Sequence, residues 1–444
     1  MQTQKKNPLI KPIAKFKKTP KVAFVGLTHL GLVTSICWAS FKVNILALDK
    51  NLSLINNLKA NNIDTAEPDL KDLYHKVKKF YYPTTNFSLL QDIKLIFITL
   101  DTPTDKPSSL KSLNDFIDET IPYLTDNTTL TIMSQVPVGY CRRLYKKIKT
   151  KRPNLKFKLY YFLNTLIIGN AISHFLTPEK VVIGKYLEDE PLSKDFNLEL
   201  KGFNAPVIQM SYESAEMTKT AVNLFLAASI TAANTLSDFC EVTGANIYQI
   251  NNALRLDKRI GKYAYLKPTL RIAGGHLERE LIKLKSLSKK KRVSDGIASS
   301  ITYLNNQRIS WLKNKIKKII RSNNFKPNIT IWGLTYKKGT NSLDNAPSLK
   351  IIKSFHKKAN IKVYDPIAKI PPTNKQLRRY NDKYQALNRS DCLIILTDWE
   401  EFEQVNLPKM EKLMKTKKII DCVGVLYSFK KTLGNFDYSC MGVS

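Results

Sequence analysis

At 444 residues the chain is too long for one ordinary hydrophobic core, so two or three domains are expected. Its 43% hydrophobic and 24% charged residues exclude a disordered chain, and no apolar run is long enough to span a membrane. Six scattered cysteines with no CxxC pair argue against a disulfide framework or a structural zinc, so no metal and a reducing cytoplasm are expected. The net charge of +34 brings nucleic acid or an anionic membrane into consideration, yet only 13 of the 71 basic residues are Arg, the better fork for base edges. A solvated Lys-rich surface that favours a polyanionic small substrate is the simpler reading.

Residues 1–20 are basic, with neither an apolar core nor a small-residue cleavage site, and read as a loose tail rather than a secretory signal. Val22–Val25 is a short apolar run ending at Gly26; an amphipathic stretch, His29–Phe41, and a second apolar run, Val43–Leu48, follow, ending at Asp49. Strand, helix and strand within about 30 residues make a βαβ unit. Apolar runs at Leu95–Thr99, Thr129–Met133, Leu159–Leu163 and Val181–Gly184 read as further buried parallel strands. From Glu213 to Ser237 the period becomes helical over a long segment suited to linking two domains and to a dimer seam. Lys283–Arg292 and Lys313–Arg321 read as solvated helix faces. A second set of strands begins at Ile329 and continues at Lys362–Tyr364, Cys392–Leu396 and Lys418–Ile420, with an amphipathic Pro347–Lys357 between. The fold class is α/β: two doubly wound parallel-sheet units joined by a long helical segment.

The first βα turn, Gly26-Leu27-Thr28-His29-Leu30-Gly31, keeps two of the three glycines of a dinucleotide-binding turn. Thr28 stands at the middle position, where a Cβ crowds a pyrophosphate. Asp49 ends the second strand, where an acid would bind ribose hydroxyls. Alone, this imperfect turn suits a βα unit without a cofactor as well as one with it.

More of the chain bears on the question. KVAFVGLTHLGL, LALDKN, AEPDL (66–70), LDTPTD (100–105), SQVPVG (134–139), GNAISHFLTPEKVVIG (169–184), AEMTKTAVNLFLAASI (215–230), LDKRIG (256–261), AGGHLERELIKL (273–284), WGLTYKKGT (332–340), VYDP (363–366) and LIILTDWEEF (393–402) occur in that order. In these segments, from Lys21 to the C-terminus, the sequence resembles the UDP-glucose/GDP-mannose dehydrogenase family. The resemblance implies an NAD-binding Rossmann domain at 21–205, a central helical dimerisation and catalytic segment at 206–305, and a nucleotide-sugar-binding α/β domain at 306–444. It also implies a homodimer, NAD as cofactor, and oxidation of the C6 alcohol of a UDP- or GDP-sugar to a carboxylate with two NAD+, a step suited to polysaccharide biosynthesis.

Such a double oxidation needs a base and charge stabilisation for the first hydride, and a thiolate that forms a hemithioacetal for the second. By resemblance, Lys219 and Asn223, spaced i,i+4 on one helical face, stabilise the developing oxyanion and position water. Also by resemblance, Gly26, Gly31, Asp49, Thr102 and Ser134 are cofactor-side, while Arg259 (reaching across a dimer), Lys337, Gly274 and Gly275 are substrate-side. The thiol is missing. The family's GGSCFPKD aligns without a gap to Ala273–Glu280, which puts His276 at the Cys position, Arg279 at the Lys and Glu280 at the Asp; matching the glycines literally puts Leu277 there instead. Further departures are Gln135 for a Thr, Asn164 for a Glu implicated in water handling, and Asp344 for a cofactor-facing Arg. His276 is either a working group or what replaced a lost thiol. Two readings follow: a dehydrogenase limited to one hydride transfer, or a non-catalytic nucleotide-sugar-binding relative.

Overall fold

The computed structural model describes residues 20–444 apart from 66, 103–109, 164–165, 168, 275 and 369–376, and without the side chain of His276. It divides into two compact units, one ending at Thr218 and the other beginning at Lys219.

The first unit is built on an eight-stranded sheet among the described residues: β1 (Val22–Val25), β2 (Ile45–Leu48), β3 (Tyr81–Thr84), β4 (Leu95–Ile98), β5 (Thr128–Ile132), β6 (Phe157–Phe162), β7 (Val181–Lys185) and β8 (Val207–Ser211). Their spatial order is β3-β2-β1-β4-β5-β6-β7-β8. The order reverses at β1, which pairs in parallel with both β2 and β4 (Val22 opposite Ile45 and Leu95). A crevice therefore opens at the carboxyl ends of β1 and β4, where doubly wound sheets take ligands. The four residues of β1 are all buried because both faces of the sheet are covered. Phe24 joins Trp38, Phe97, Phe162 and Phe175 on one side, and Val25 joins Ile98, Leu130 and Tyr161 on the other.

One strand runs against expectation: Val181–Lys185 pairs antiparallel with β6, Phe162 opposite Ile183. An apolar run reports burial on both faces, which either direction satisfies. Strands β3 and β8 add to those expected. The first reads YYPT, with Pro83 interrupting the apolar pattern at a sheet edge where a missing N–H costs no ladder bond.

The helical segment expected over Glu213–Ser237 is one helix of 32 residues, Tyr212–Thr243, which runs through the boundary between the units. Beyond it the second unit holds the helices Ile247–Leu256, His276–Lys291, Gly296–Arg308 and Ser310–Arg321. Both Lys-rich stretches are helical. In the last helix Leu312, Ile316 and Ile319 are buried, leaving the lysines on the other faces. Buried Arg308 ties this helical layer together, donating to Ser237 Oγ (3.0 Å) and pairing with Asp238.

The second sheet comprises β9 (Asn328–Trp332), β10 (Asn360–Tyr364), β11 (Arg378–Arg379), β12 (Cys392–Ile395), β13 (Lys418–Asp421) and β14 (Asp437–Cys440). It is parallel throughout, in the order β11-β10-β9-β12-β13-β14. The reversal seen at β1 and β4 recurs here at β9 and β12, and the mononucleotide-type arrangement is thus present twice.

Candidate active site and cofactor cradle

The chain leaves β1 through Gly26, whose φ of +92° excludes a side chain without strain, and whose N–H donates to Leu48 O (2.8 Å). Gly31, in the first turn of the helix His29–Ala39, is required by packing: a Cβ there would lie 1.9 Å from Gly26 O. Helix and strand thus meet as closely as a dinucleotide turn demands. Asp49 ends β2 as expected and turns back toward this loop, Oδ2 accepting from Leu27 N (2.7 Å) and Oδ1 from Asn51 N (2.9 Å). A carboxylate has about four lone-pair directions, so each oxygen retains capacity for a ribose hydroxyl.

Thr28, in the middle position, makes two bonds to the segment that follows β4. Its Oγ1 accepts from Asp101 N (2.7 Å) and donates to Thr99 O (3.3 Å). The Asp101 carboxylate in turn accepts from Leu30 N (3.0 Å), an amide at the N-terminus of the helix. Next to it, Thr102 Oγ1 donates to Gln135 O (2.7 Å), and buried Ser134 follows β5. All five expected cofactor-side residues thus lie on the βα turn and the carboxyl ends of β2, β4 and β5.

Two residues given no role in the sequence prove central to this cradle. Buried Glu67, from the AEPDL segment, contacts His29 Nε2 (3.1 Å) and accepts from Gly169 N (3.0 Å) and Ala171 N (2.6 Å). Asp101 stands one residue before Thr102; an acid just beyond the strand next to β1 was the available signal.

In the second unit, Lys219 and Asn223 lie one turn apart on the long helix. Glu280 of the helix His276–Lys291 is 4% exposed and accepts from Thr220 Oγ1 (2.8 Å) and Lys283 Nζ (2.9 Å). Burial holds the Lys219 ammonium below the usual lysine range; the Glu280 charge works against that shift and the Lys283 charge adds to it. Asn223 is 7% exposed, and its Nδ2 has no partner among the described residues. A buried, unused amide donor is costly unless something else accepts from it.

The segment before this helix is held rigidly. Gly274, at φ +78°, lies under the Tyr336 ring, where a Cβ would come within 2.8 Å of Cε2; its N–H donates to Asp344 O (3.1 Å). Arg271 forms an ion pair with Glu278, which also accepts from Asn305 Nδ2 (3.1 Å), and Asn305 Oδ1 accepts from Ile272 N (2.7 Å). Beside this segment a cavity of about 270 Å³ is lined by Ala273, Leu277, Tyr336, Lys337, Thr397 and Cys422. Tyr336 and Lys337 follow β9, Thr397 follows β12 and Cys422 follows β13, so the cavity stands at the carboxyl ends of the second sheet.

Lys337 is therefore placed with a cavity, and Glu280 with Lys219. Arg259 is apart from both: its side chain is 89% exposed and pairs, among the described residues, with Asp257 through contacts of 2.6 and 3.0 Å. Gly275, Asn164 and the His276 side chain lie outside the described residues. All six cysteines are buried, and burial together with Asp421 pushes the Cys422 thiol far above its ordinary range. No group of three or more His, Cys, Asp or Glu among the described residues is arranged to hold a metal.

Two mononucleotide-type sheets and a dinucleotide turn define a nucleotide-binding α/β class. Residues 20–194 match the NAD binding domain of the UDP-glucose/GDP-mannose dehydrogenase family, residues 213–307 its central domain and residues 330–428 its UDP binding domain. The chain belongs to that family, and NAD is its cofactor. The chain is 28% identical over 437 residues to a UDP-glucose 6-dehydrogenase of Rickettsia bellii (strain RML369-C), covering 95% of this chain and 99% of that protein. It is 29% identical over 417 residues to the UDP-glucose 6-dehydrogenase TuaD of Bacillus subtilis (strain 168), covering 90% and 88%. Among solved structures, a UDP-glucose dehydrogenase from Pyrobaculum islandicum superposes with a TM-score of 0.83 at 19% identity, covering 98% of this chain and all of that one. A UDP-D-ManNAc dehydrogenase from Pyrococcus horikoshii gives 0.80 at 20% identity, covering 95% and 99%. These last two likenesses are of fold. The turn, Gly31 and Asp49 fit the cofactor, with one amide of the cradle already bonded to Asp101.

Proposed function

We propose that the protein oxidises the primary alcohol of a UDP- or GDP-sugar to the aldehyde, in one hydride transfer. The observation that carries this reading is half-buried Lys219 with buried Asn223 one turn along its helix and the buried Glu280 carboxylate whose charge acts on it. Bound NAD+ would supply the hydride acceptor. Lys219, its charged form disfavoured by burial, is suited to take the hydroxyl proton as the C–H bond gives up its hydride. The Nδ2 of Asn223, without a partner among the described residues, is suited to donate to the sugar oxygen as charge develops on it. Glu280, fixed by Thr220 and Lys283, keeps a negative charge near Lys219 and favours the ammonium once formed.

The second oxidation lacks its nucleophile. A thiolate must be exposed and electronically favoured to add to an aldehyde, and the thiol beside the cavity, Cys422, is neither. The product of this reading is the aldehyde, released or held as its hydrate.

A homodimer belongs to the same proposal. Phe225, Leu236 and Phe239 are 78%, 39% and 61% exposed and share one stripe of the long helix. Their exposure, and that of Arg259, supports a second subunit packed on this layer, with Arg259 reaching the partner's substrate.

The test is a reaction of purified protein with NAD+ and a panel of UDP- and GDP-sugars, followed by NADH absorbance and product mass. One NADH per sugar, an aldehyde trapped by hydroxylamine, and a loss of about 10²–10⁴-fold in Lys219→Ala support the reading. Two NADH per sugar with a uronic acid would overturn the single transfer. Sugar binding without NADH from any substrate would favour the non-catalytic relative.

A further inference from the structure

The N-terminus of the helix His29–Ala39 offers the backbone donors on which a dinucleotide pyrophosphate is held in a turn of this kind. One of them, Leu30 N–H, is already taken by the Asp101 carboxylate at 3.0 Å. We propose that Asp101 is an internal stand-in for the cofactor's phosphate, and that NAD binds this chain only as the Asp101 carboxylate leaves the turn.

The surrounding bonds support a built contact rather than a chance one. Thr28, which replaces the glycine that would let a pyrophosphate approach, accepts from Asp101 N (2.7 Å) and donates to Thr99 O (3.3 Å). Thr99 Oγ1 donates to Gly26 O (2.8 Å), and the Leu100 side chain covers Gly26. Residues 99–101 are thus bonded to the turn along its length, with the carboxylate at the end that an anion would occupy. Asp101 itself is exposed, so its side chain can rotate into solvent while Thr99 and Leu100 stay packed. A carboxylate and a phosphate compete for the same positive end of a helix dipole, and the two negative charges repel when both are near it.

This inference rests on NAD binding to the first unit, and the experiment separates the two. ADP-ribose, NAD+ and, as a phosphate-free control, adenosine are titrated calorimetrically into the full-length wild type, Asp101→Gly and Asp101→Asn, with circular dichroism and melting curves to verify folding. Asp101→Gly should bind ADP-ribose and NAD+ about tenfold tighter or better, with adenosine within about twofold of wild type. Asp101→Asn, which keeps an oxygen for Leu30 N–H but loses the charge, should fall between. Equal or weaker dinucleotide binding by folded Asp101→Gly, with wild-type binding measurable, overturns the role of Asp101 alone. An equal gain for adenosine also overturns it, because relief would then not act on the phosphates. Dinucleotide binding by neither wild type nor variant removes the cofactor assignment as well.

Discussion

At the scale of single residues, Lys219 carries the sharpest consequence. A base must be neutral to accept a proton, so kcat/KM should rise with pH as Lys219 loses its own. Because burial holds this lysine below its ordinary range, the midpoint should lie below about 10.4, the value for a free lysine side chain. In Lys219→Arg the guanidinium stays protonated and that limb should vanish. A rate that instead falls through the same midpoint would assign Lys219 to charge stabilisation. The i,i+4 spacing of Lys219 and Asn223 was open to reading in the sequence, since it needs only the helical period. The link from Thr220 to Glu280 spans 60 residues and that from Asp101 to Leu30 spans 71, and no local pattern encodes either. The same holds for Cys422, far from Ala273 in sequence and beside it at one cavity.

At the scale of elements, composition and period located most of the strands, because buried parallel strands are continuous apolar runs. Direction and edges were less legible: β7 reverses with no change in its apolar run, and β11, two exposed arginines, has no apolar pattern at all. What joins elements across the first unit is Glu67, buried between the turn and the start of the helix Ala171–Leu176. Glu67→Ala would leave the N–H groups of Gly169 and Ala171 without their acceptor, at a cost of about 2 kcal/mol or more. The midpoint of urea unfolding should fall accordingly, and Glu67→Gln, which keeps one acceptor oxygen, should fall less. An unchanged midpoint in Glu67→Ala would mean that water replaces the carboxylate at no loss.

At the scale of the whole molecule, the apolar stripe of the long helix leads to a statement about assembly. Light scattering at micromolar concentration should give twice the mass of the chain, 50.7 kDa, and Phe225→Glu with Phe239→Glu should shift it toward the monomer. A wild-type monomer would contradict the dimer and leave Arg259 as a surface residue. No described helix is long and apolar enough to cross a membrane. The burial of all six cysteines has a consequence of another kind. Oxidants begin their damage at accessible thiolates, and a dehydrogenase that works through one is silenced as its sulfur climbs from sulfenic to sulfonic acid. The proposed chemistry on an amine, an amide and a carboxylate has no such fuse, so NADH formation should survive a peroxide treatment that silences a thiolate-dependent dehydrogenase.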